Sequence, residues 1–563
     1  MAVNKVVYGN DTLIDITDTT ATASDVSNGK YFYAADGTKT AGTASGTSSG
    51  RLTEEEYQEA TDDVDNILNG VTVPSGTLAI SENGIYDVTN YLSANVNVSQ
   101  SGGTSISESD VNFYDYDGTL IDSYTSSEFL ALTVLPSNPT HSGLTAQGWN
   151  WSLSDAKTYV NTYGKLNIGQ MYVTDDGKTR IYIHLEEGRL EPYLGFAVNG
   201  SVLVDWGDGN TETVTGNSTS TVIYTQHTYS SAGDYVIKLS SSNIIYLLGS
   251  STLGSCVLTK NSSTLNENIV YQNSIRKVEL GTNVTSLGGY AFYNCSSLSG
   301  ITIPSSVTSI EQYTFAYCYS LKNIIIPSEM TSISQYTFYF CFSLTNVVIP
   351  NSVTSIGVRT FYYCYSLTSI IIPSGVTSIG LYTFCNCYSL TSIIIPSGVT
   401  SIGTYAFQGC YSLSSITIPS GITSIGNNTF NGCYSLSSVI IPSGVTSIGN
   451  NAFNGCCSLS SIIIPNSVTS IGTYAFYHCY PLSSVTIPSG VTSIETYVFN
   501  GCSGMKKCDF SAYTTIPTLS NTNAFTGISS DCQIVVPDSL YEDWIIATNW
   551  SNYASYIVKA SEA

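Results

Sequence analysis

The side chains that could carry out chemistry in this chain are few and far apart. The only histidines are His141, His184, His227 and His478. They are accompanied by no serine and aspartate in a strand–turn–helix setting, no phosphate-binding loop and no pair of carboxylates on a common frame. The sequence therefore predicts no catalytic residues and no cofactor, and we expect the protein not to be an enzyme.

Cysteine is the reactive residue type with a regular spacing. Ten of the fifteen cysteines recur every 23 residues, each with a phenylalanine three positions earlier: Cys295, Cys318, Cys341, Cys364, Cys387, Cys410, Cys433, Cys456, Cys479 and Cys502. Zinc sites use Cys-x-x-Cys with a second pair or with nearby histidines, and this stretch contains only His478. We predict a ladder of buried free thiols and no metal site.

The same period of 23 residues organises everything around the cysteines. Prolines follow it from Pro304 to Pro488, and a fixed period of this length indicates a solenoid. A unit such as Ser397 to Ile418 is too short to bury its own apolar side chains, so successive coils must cover one another at about 4.8 Å per coil. The Leu-x-x-Ile-x-Ile segment alternates like a strand and predicts one parallel strand per coil, ended by the proline.

The repeat resembles a known family. Residues Ile418 to Leu436 follow the pattern Ile-Pro-x-x-Val-Thr-x-Ile-Gly-x-x-Ala-Phe-x-x-Cys-x-x-Leu, with Ile422 in place of Val and Thr429 in place of Ala, and this pattern resembles the BspA-type leucine-rich repeat. The resemblance implies adhesion or recognition, because the repeat occurs on bacterial, protist and phage surface proteins. A fold does not fix a function.

Charge narrows the range of partners. The chain has 18 basic and 41 acidic residues and a net charge of −23, which argues against nucleic acid or anionic membranes as partners. Between residues 301 and 500 only Glu311, Lys322, Glu329, Arg359 and Glu495 are charged. The remaining Ser, Thr, Asn and Tyr surface suits a glycan or another protein, and a plain solvated exterior is the alternative.

The expected fold class is mainly β, with small N-terminal β modules, a β-sandwich, a C-terminal leucine-rich-repeat solenoid of 23-residue coils and a short helical C-terminal cap. The predicted boundaries, in chain order, are 1–47 (β module that docks on a particle), 48–70 (linker and acidic helix), 71–103 (small β module), 104–180 (β-rich module with a Trp pair), 181–245 (sandwich), 246–289 (cap before the first coil), 290–510 (repeats) and 511–563 (degenerate repeat and cap).

Two further resemblances come from the first half of the chain. The phrases VVYGNDTLIDIT and DGTKTAGT, within Val3 to Thr43, resemble an N-terminal module of tail proteins from phages of gut Firmicutes. The segments VLVDWGDGNTETV and HTYSSAGDYVIKL resemble a polycystic-kidney-disease-type sandwich with its hairpin turn at Asp205 to Gly209. Asp205 and Asp208 could hold calcium, but such aspartates more often cap the turn.

Two ladders on the solenoid are the candidate ligand-binding surfaces. The members chosen are Tyr319, Tyr365, Tyr388, Tyr411, Tyr434 and Tyr480, just after the periodic cysteines, and Ile371, Ile394 and Thr417, at the outward strand position. Aromatic ladders offer rigid contact area. The alternative is that tyrosines stacked on every coil only stabilise the coil edges.

These features favour a phage tail fibre or receptor-binding protein of the virion that recognises a bacterial surface glycan or protein. The alternatives are a bacterial cell-surface adhesin and a structural virion protein that binds nothing. The expected partners are the surface receptor and, through the N-terminal modules, other tail proteins. A homo-oligomer such as a trimer is expected, formed through a short helix at Leu52 to Asn69. The chain start lacks an apolar run of signal-peptide length and no segment reaches membrane-span length, which favours a virion protein assembled in the host cytoplasm.

Overall fold

The structure is a computed structural model of the chain. It describes residues 110–249, 257–260 and 271–563, and the backbone of four strands nearer the N-terminus. The chain divides into two compact units, Met1–Ile106 and Ser107–Ala563.

The first unit contains two antiparallel hairpins, whose strands are β1 (Lys5–Tyr8), β2 (Asp11–Asp15), β3 (Tyr31–Tyr33) and β4 (Lys39–Ala41). Lys5 pairs with Asp15, and Tyr31 pairs with Ala41. The sequence GKYFYAADGTKTAGT predicts a pair of strands on either side of Asp36-Gly37, and the antiparallel pairing of β3 with β4 confirms it. The predicted helix at 52–69 and the predicted module at 71–103 lie outside the described residues.

The second unit begins with a four-stranded sheet in the order β6-β5-β8-β7, flanked by two helices. Its elements are β5 (Val111–Tyr114), β6 (Leu120–Tyr124), α1 (Ser126–Ala131), β7 (Leu144–Trp149), α2 (Leu153–Tyr163) and β8 (Leu166–Thr174). Ser152 caps α2 by accepting a hydrogen bond from Asp155 N at 3.1 Å. The sequence VNFYDYDGTLIDSY predicts a hairpin with its turn at Asp117-Gly118, and β5 and β6 confirm it. The helix that the sequence predicts after Ser154 is present and begins at Leu153. We call residues 110–174 the covering module.

The next strands join directly onto the solenoid. They are β9 (Thr179–Leu185), β10 (Tyr193–Asp205), β11 (Thr211–Gln226), β12 (Gly233–Ser240), β13 (Ile245–Tyr246), β14 (Leu258–Thr259) and β15 (Ile275–Glu279). The sheet order β11-β10-β12-β9-β15 continues into the first strand of the repeats. The hairpin turn between Asp205 and Thr211 is confirmed. These strands share one sheet with the first strand of the solenoid. The likeness of 181–245 to a polycystic-kidney-disease-type sandwich stays a prediction.

Each solenoid coil contributes a three-residue strand and a two-residue strand. The longer ones are β17 (Gly300–Thr302), β19 (Asn323–Ile325), β21 (Asn346–Val348), β23 (Ser369–Ile371), β25 (Ser392–Ile394), β27 (Ser415–Thr417), β29 (Ser438–Ile440), β31 (Ser461–Ile463) and β33 (Ser484–Thr486). The shorter ones are β16 (Ser286–Leu287), β18 (Ser309–Ile310), β20 (Ser332–Ile333), β22 (Ser355–Ile356), β24 (Ser378–Ile379), β26 (Ser401–Ile402), β28 (Ser424–Ile425), β30 (Ser447–Ile448), β32 (Ser470–Ile471), β34 (Ser493–Ile494) and β36 (Thr518–Leu519). Pairing is parallel with a step of one coil, as in Ile393 with Ile416.

The core of the solenoid is a set of continuous internal ladders. Phenylalanine rings from Phe292 to Phe525 stack with centroids 5.3 to 5.7 Å apart. Beside them runs the ladder of buried free cysteines. From Cys318 to Cys502, each periodic thiol donates to the carbonyl of a phenylalanine one coil earlier, as Cys410 does to Phe384 O at 3.2 Å. The predicted ladder of free thiols is confirmed.

The C-terminal segment closes the last coil. Strands β35 (Lys507–Asp509), β37 (Gln533–Val536) and β38 (Ile557–Lys559) extend the sheet. Short 3-10 helices at Asp538–Leu540, Trp550–Tyr556 and Ala560–Glu562 surround α3 (Tyr541–Trp544). Trp544 and Trp550 are buried against Phe510. The sequence of this segment predicts that Asp538 or Ser539 caps the helix. This prediction is wrong, because no side chain caps the turns from Asp538 to Trp544 and the Asp538 carboxylate accepts from Ser561 N.

The expected fold class is thus confirmed: a mainly β chain with a solenoid of about 12 turns of roughly 23 residues and a small C-terminal helix.

Candidate functional site

The outward stripe is the row formed by the third residue of each longer strand. Its members in chain order are Thr302, Ile325, Val348, Ile371, Ile394, Thr417, Ile440, Ile463 and Thr486. The chemistry of the row hardly changes along the solenoid, but its exposure does. Ile325 and Val348 are 6% and 1% exposed, whereas Ile440 and Ile463 are 76% and 80% exposed.

The first four positions are covered by the covering module. Strand β8 contacts β17, β19 and β21 and so lies across successive coils, as in orthogonal packing of two sheets. Met171 packs between Ile325 and Val348. A Cβ on Gly169 would come within 2.7 Å of the Ile325 side chain, so only glycine permits this approach.

Polar side chains of the covering module also bind solenoid carbonyls that precede the prolines. Asn150 Nδ2 donates to Ile326 O at 3.1 Å, Trp151 Nε1 to Ile349 O at 3.0 Å and Tyr159 OH to Ile372 O at 2.8 Å. Proline has no backbone N–H group, so the hydrogen-bond ladder between neighbouring coils is interrupted at each of these prolines. The carbonyl oxygen before the proline is therefore available to side chains of the covering module. The module therefore follows the solenoid coil by coil and ends at Ile371, which is half-buried against it.

The uncovered half of the stripe begins at Ile394. Ile394 is half-buried, Thr417 and Thr486 are exposed, and the two isoleucines between them are almost fully exposed. Adjacent exposed isoleucines on a sheet, next to a stretch that is already an interface, are typical of a recognition surface.

The tyrosine edge is the second candidate surface. Tyr319, Phe342, Tyr365, Tyr388, Tyr411 and Tyr434 stack with centroids 4.4 to 4.8 Å apart and ring planes within 16° of parallel. Their faces are used by neighbouring rings, so the stack presents ring edges and phenol groups rather than flat platforms. These rings are half-buried, and burial raises the pKa of Tyr388 far above its ordinary value.

Cys457 interrupts this stack between Tyr434 and Tyr480. Tyr480 is 39% exposed and stacks on His478 instead, with centroids 5.2 Å apart. Burial raises the pKa of Tyr480 to about 12 and that of Cys457 to about 12 as well. Neither group ionises near neutral pH, so both act through contact and hydrogen bonding.

The structure leaves the remaining reactive groups in structural roles. Burial is the main cause that raises the pKa of Cys387 well above its ordinary value, so the ladder thiol is not a nucleophile. In the hairpin turn, Asp205 and Asp208 accept hydrogen bonds from the Gly207 and Asn210 amides at 3.0 Å. The carboxylates thus cap the turn. The described residues contain no group of three or more His, Cys, Asp or Glu side chains able to hold a metal ion.

The predicted site residues fall into two groups that the structure does not bring together. The tyrosines from Tyr319 to Tyr434 form one edge, and Ile371, Ile394 and Thr417 belong to the outward stripe. The sequence pattern does not indicate that residues 110–174 cover the solenoid. This cover leaves Ile371 partly hidden and makes Ile440 and Ile463 the most exposed members of the outward stripe. The pair Trp149 and Trp151, together with Gly169 in β8, is the feature of the sequence that could have indicated a packing surface.

This arrangement of short parallel strands, buried leucines and stacked phenylalanines defines a leucine-rich-repeat solenoid. Residues 246–366, 354–479 and 446–542 match the model of the BspA type leucine rich repeat region, in 6 copies. The matched ranges together span 246–542, more than half of the 563 residues. The chain therefore belongs to the BspA-type leucine-rich repeat family. Its members are generally binding proteins without enzymatic activity and are often found at the cell surface.

Several solved structures are similar to this chain. A leucine-rich repeat protein from Bacteroides ovatus has 26% identity over 51% of this chain and 84% of its own, with a TM-score of 0.39. A leucine rich cell surface protein from Faecalibacterium prausnitzii has 27% identity over 51% and 79%, with a TM-score of 0.32. The T. pallidum leucine rich repeat protein has 29% identity over 34% and 84%, with a TM-score of 0.29. None of the curated proteins matches the chain. Within the described part of the chain, no helix has the length and hydropathy needed to span a membrane.

Proposed function

We propose that this chain is a surface-recognition protein that binds a protein or glycan on a bacterial cell through its solenoid. The observation that carries the proposal is the uncovered half of the outward stripe, where Ile440 and Ile463 are 76% and 80% exposed. Burying such side chains against a partner contributes about 1.5–3 kcal/mol each. The family's association with binding at surfaces supports the same role.

The tyrosine edge is a second contact surface within this proposal. Its uncharged phenol groups, repeated on successive coils, can donate and accept hydrogen bonds. Tyr388, Tyr411 and Tyr434 lie in its most regular part.

The test is adsorption of the full chain to a panel of intact Gram-positive gut bacteria. The double variant Ile440→Ser/Ile463→Ser should bind at least about tenfold less, because each lost apolar contact weakens the complex. Ile546→Ser is the matched control, since Ile546 is 74% exposed outside the stripe. A wild-type chain that adsorbs to none of the cells would refute the proposed function.

The tyrosine edge has its own variant, Tyr388→Phe/Tyr411→Phe/Tyr434→Phe. It removes three hydroxyl groups and keeps the rings. Because the Tyr388 hydroxyl also hydrogen-bonds to Tyr411, denaturant unfolding of the variant is measured as well, to separate a loss of adsorption from a loss of stability. Tyr541→Phe/Tyr556→Phe in the C-terminal cap is the control. A chain shortened to end at Leu239 would also lack the solenoid, but it is a less suitable comparison than these point variants. Strand β9 pairs with β15 and would lose that partner strand.

Two locations are compatible with this function, the bacterial cell surface and the phage virion. A bacterial cell-surface adhesin agrees with the family's usual location. A phage tail protein, docked on the virion by residues 1–47 and assembled as a homo-oligomer such as a trimer, is favoured by the sequence of Val3 to Thr43. Mass spectrometry of purified virions and of the cell-surface fraction from one lysogenic culture separates these candidates, and sedimentation of the full chain measures the oligomeric state.

A further inference from the structure

The face formed by the two-residue strands carries two open grooves lined by both polar and apolar groups, and none of the outward-stripe residues lines them. The C-terminal groove has a volume of about 340 Å³ and is lined by Asn427, Asn450, Ser447, Ser470, Thr469 and Glu495, among others. The N-terminal groove has a volume of about 410 Å³ and is lined by Glu311, Gln312, Gln335, Ser332 and Ser334. Pockets from about 300 Å³ upward accommodate small ligands.

Both grooves are built from the same parts. Each contains two carboxamides from successive coils, a row of serine hydroxyls and one carboxylate. In the N-terminal groove Gln335 Nε2 donates to Gln312 Oε1 at 2.8 Å. In the C-terminal groove the Glu495 carboxylate accepts from the Ser493 and Ser520 hydroxyls at 2.7 and 3.1 Å.

The backbone fixes the orientation of the asparagines. Asn427 Oδ1 accepts from Asn450 N, and Asn450 Oδ1 accepts from Thr473 N, both at 2.9 Å. Because each carboxamide oxygen is held by an N–H group, the amino ends of both exposed side chains are left to donate. Two directed donors, one coil or about 4.8 Å apart, thus lie on the same face as the Glu495 carboxylate, which is two coils or about 10 Å further along from Asn450.

The lining excludes most classes of ligand. Neither groove is lined by Lys or Arg, so an anion would find no counter-charge. A single carboxylate is too few for a dedicated cation site. Ile448 and Ile471 are also among the lining residues, so the groove suits a ligand that has apolar faces together with hydroxyl groups, as a sugar ring does. A neutral polyhydroxylated ligand matches the lining, since it can both accept from the carboxamides and donate to the carboxylate.

We infer that the grooves on this face bind a neutral glycan. The inference rests on the proposed role of the solenoid in recognition and names one ligand class for it. Glu311 and Glu495 are eight coils apart, or about 38 Å at strand spacing. A polysaccharide can therefore engage both grooves of one molecule, whereas a short oligosaccharide engages only one. Once the polymer is bound in the first groove, its effective concentration at the second groove is high, so it binds more tightly than the oligosaccharide.

The experiment measures binding of the full chain to laminarin, xylan and mannan by affinity electrophoresis, with polygalacturonate as an anionic comparison. The variant is Asn427→Asp/Asn450→Asp, which keeps an acceptor oxygen for the backbone amides and replaces the two donors. Asn428→Asp/Asn451→Asp is the matched control, because it adds the same charge one residue away and outside the groove lining.

We expect at least one neutral polysaccharide to bind. The groove variant should weaken that binding about tenfold or more, and the control should change it less than about twofold. Failure of all three polysaccharides to bind, equal binding by the groove variant, or preferential binding of polygalacturonate would each overturn the inference. Adsorption to cells through Ile440 and Ile463 without polysaccharide binding would leave the proposed function standing and remove only this glycan site.

Discussion

Trp151 donates its indole N–H to the backbone carbonyl of Ile349, 198 residues further along the chain, at 3.0 Å. Both residues are buried. The carbonyl lies just before Pro350, where the strand ladder stops. This bond fixes the covering module to a particular coil, one coil before the Tyr159 bond to Ile372 at which the covered part of the outward stripe ends.

The close approach of β8 to the solenoid makes Gly169 sensitive to substitution. Gly169→Ala would place a Cβ about 2.7 Å from the Ile325 side chain, and such overpacking costs about 1–3 kcal/mol. We expect lower stability in urea and faster hydrogen exchange in residues 323–348. Gly300→Ala is the control, because nothing lies within 4 Å of its Cβ position. Equal behaviour of the two variants would contradict the packing described.

The phenylalanine ladder should depend on every ring in its middle. Phe407 is fully buried between Phe384 and Phe430 at 5.6 and 5.7 Å. Phe407→Ala should lower the free energy of unfolding by about 3–5 kcal/mol, and Phe407→Leu should cost less because it fills more of the volume. Denaturant unfolding followed by circular dichroism measures both. A loss below about 1 kcal/mol for the alanine variant would show that the coils collapse around the gap.

The thiol ladder should be inert in the folded protein. The periodic cysteines are buried, and burial raises the pKa of thiols such as Cys433 and Cys479, so almost no thiolate is present at pH 8. Iodoacetamide should label none of these positions in the native chain and all of them in denaturant. Peptide mass spectrometry identifies the labelled sites. Labelling of Cys433 in the native chain as fast as in denaturant would disprove the buried ladder.

The start of the covering module should lose stability in acid. The Asp110 carboxylate accepts hydrogen bonds from the Ser126 hydroxyl at 2.7 Å and from the Ser126 backbone N–H at 2.8 Å. Both bonds lower the pKa of the Asp110 carboxyl, the hydroxyl bond more than the backbone bond. A pKa below the unfolded value, about 3.9, means that the stabilisation is present above that pH and is lost as the pH falls through the folded-state pKa.

The corresponding variant is Ser126→Ala. It should lower the melting temperature at pH 7, and the difference from wild type should shrink below about pH 4 as Asp110 becomes protonated. Ser127→Ala, one residue along the same helix, should show an effect that does not change with pH. A Ser126→Ala difference that stays constant from pH 7 to pH 3 would argue against the carboxylate bond.

The repeats could be predicted because each coil contacts its neighbours 23 residues away, so the period itself encodes the packing. The inward positions of Cys410 and Phe407 follow directly from it. The covering module could not be predicted in this way, because the contacts of Asn150 and Trp151 with Ile326 and Ile349 span almost 200 residues and leave no periodic trace. The tyrosine rows were visible, but their face-to-face stacking depends on coil geometry that no spacing specifies.

The coils from Ile394 to Thr486 pack neither under the covering module nor against the C-terminal tryptophans. In a solenoid each coil contacts its neighbours, so a coil could be added to or removed from this section without disturbing either end. Each added coil would lengthen the open part of the outward stripe by about 4.8 Å and supply one more contact position for a surface partner.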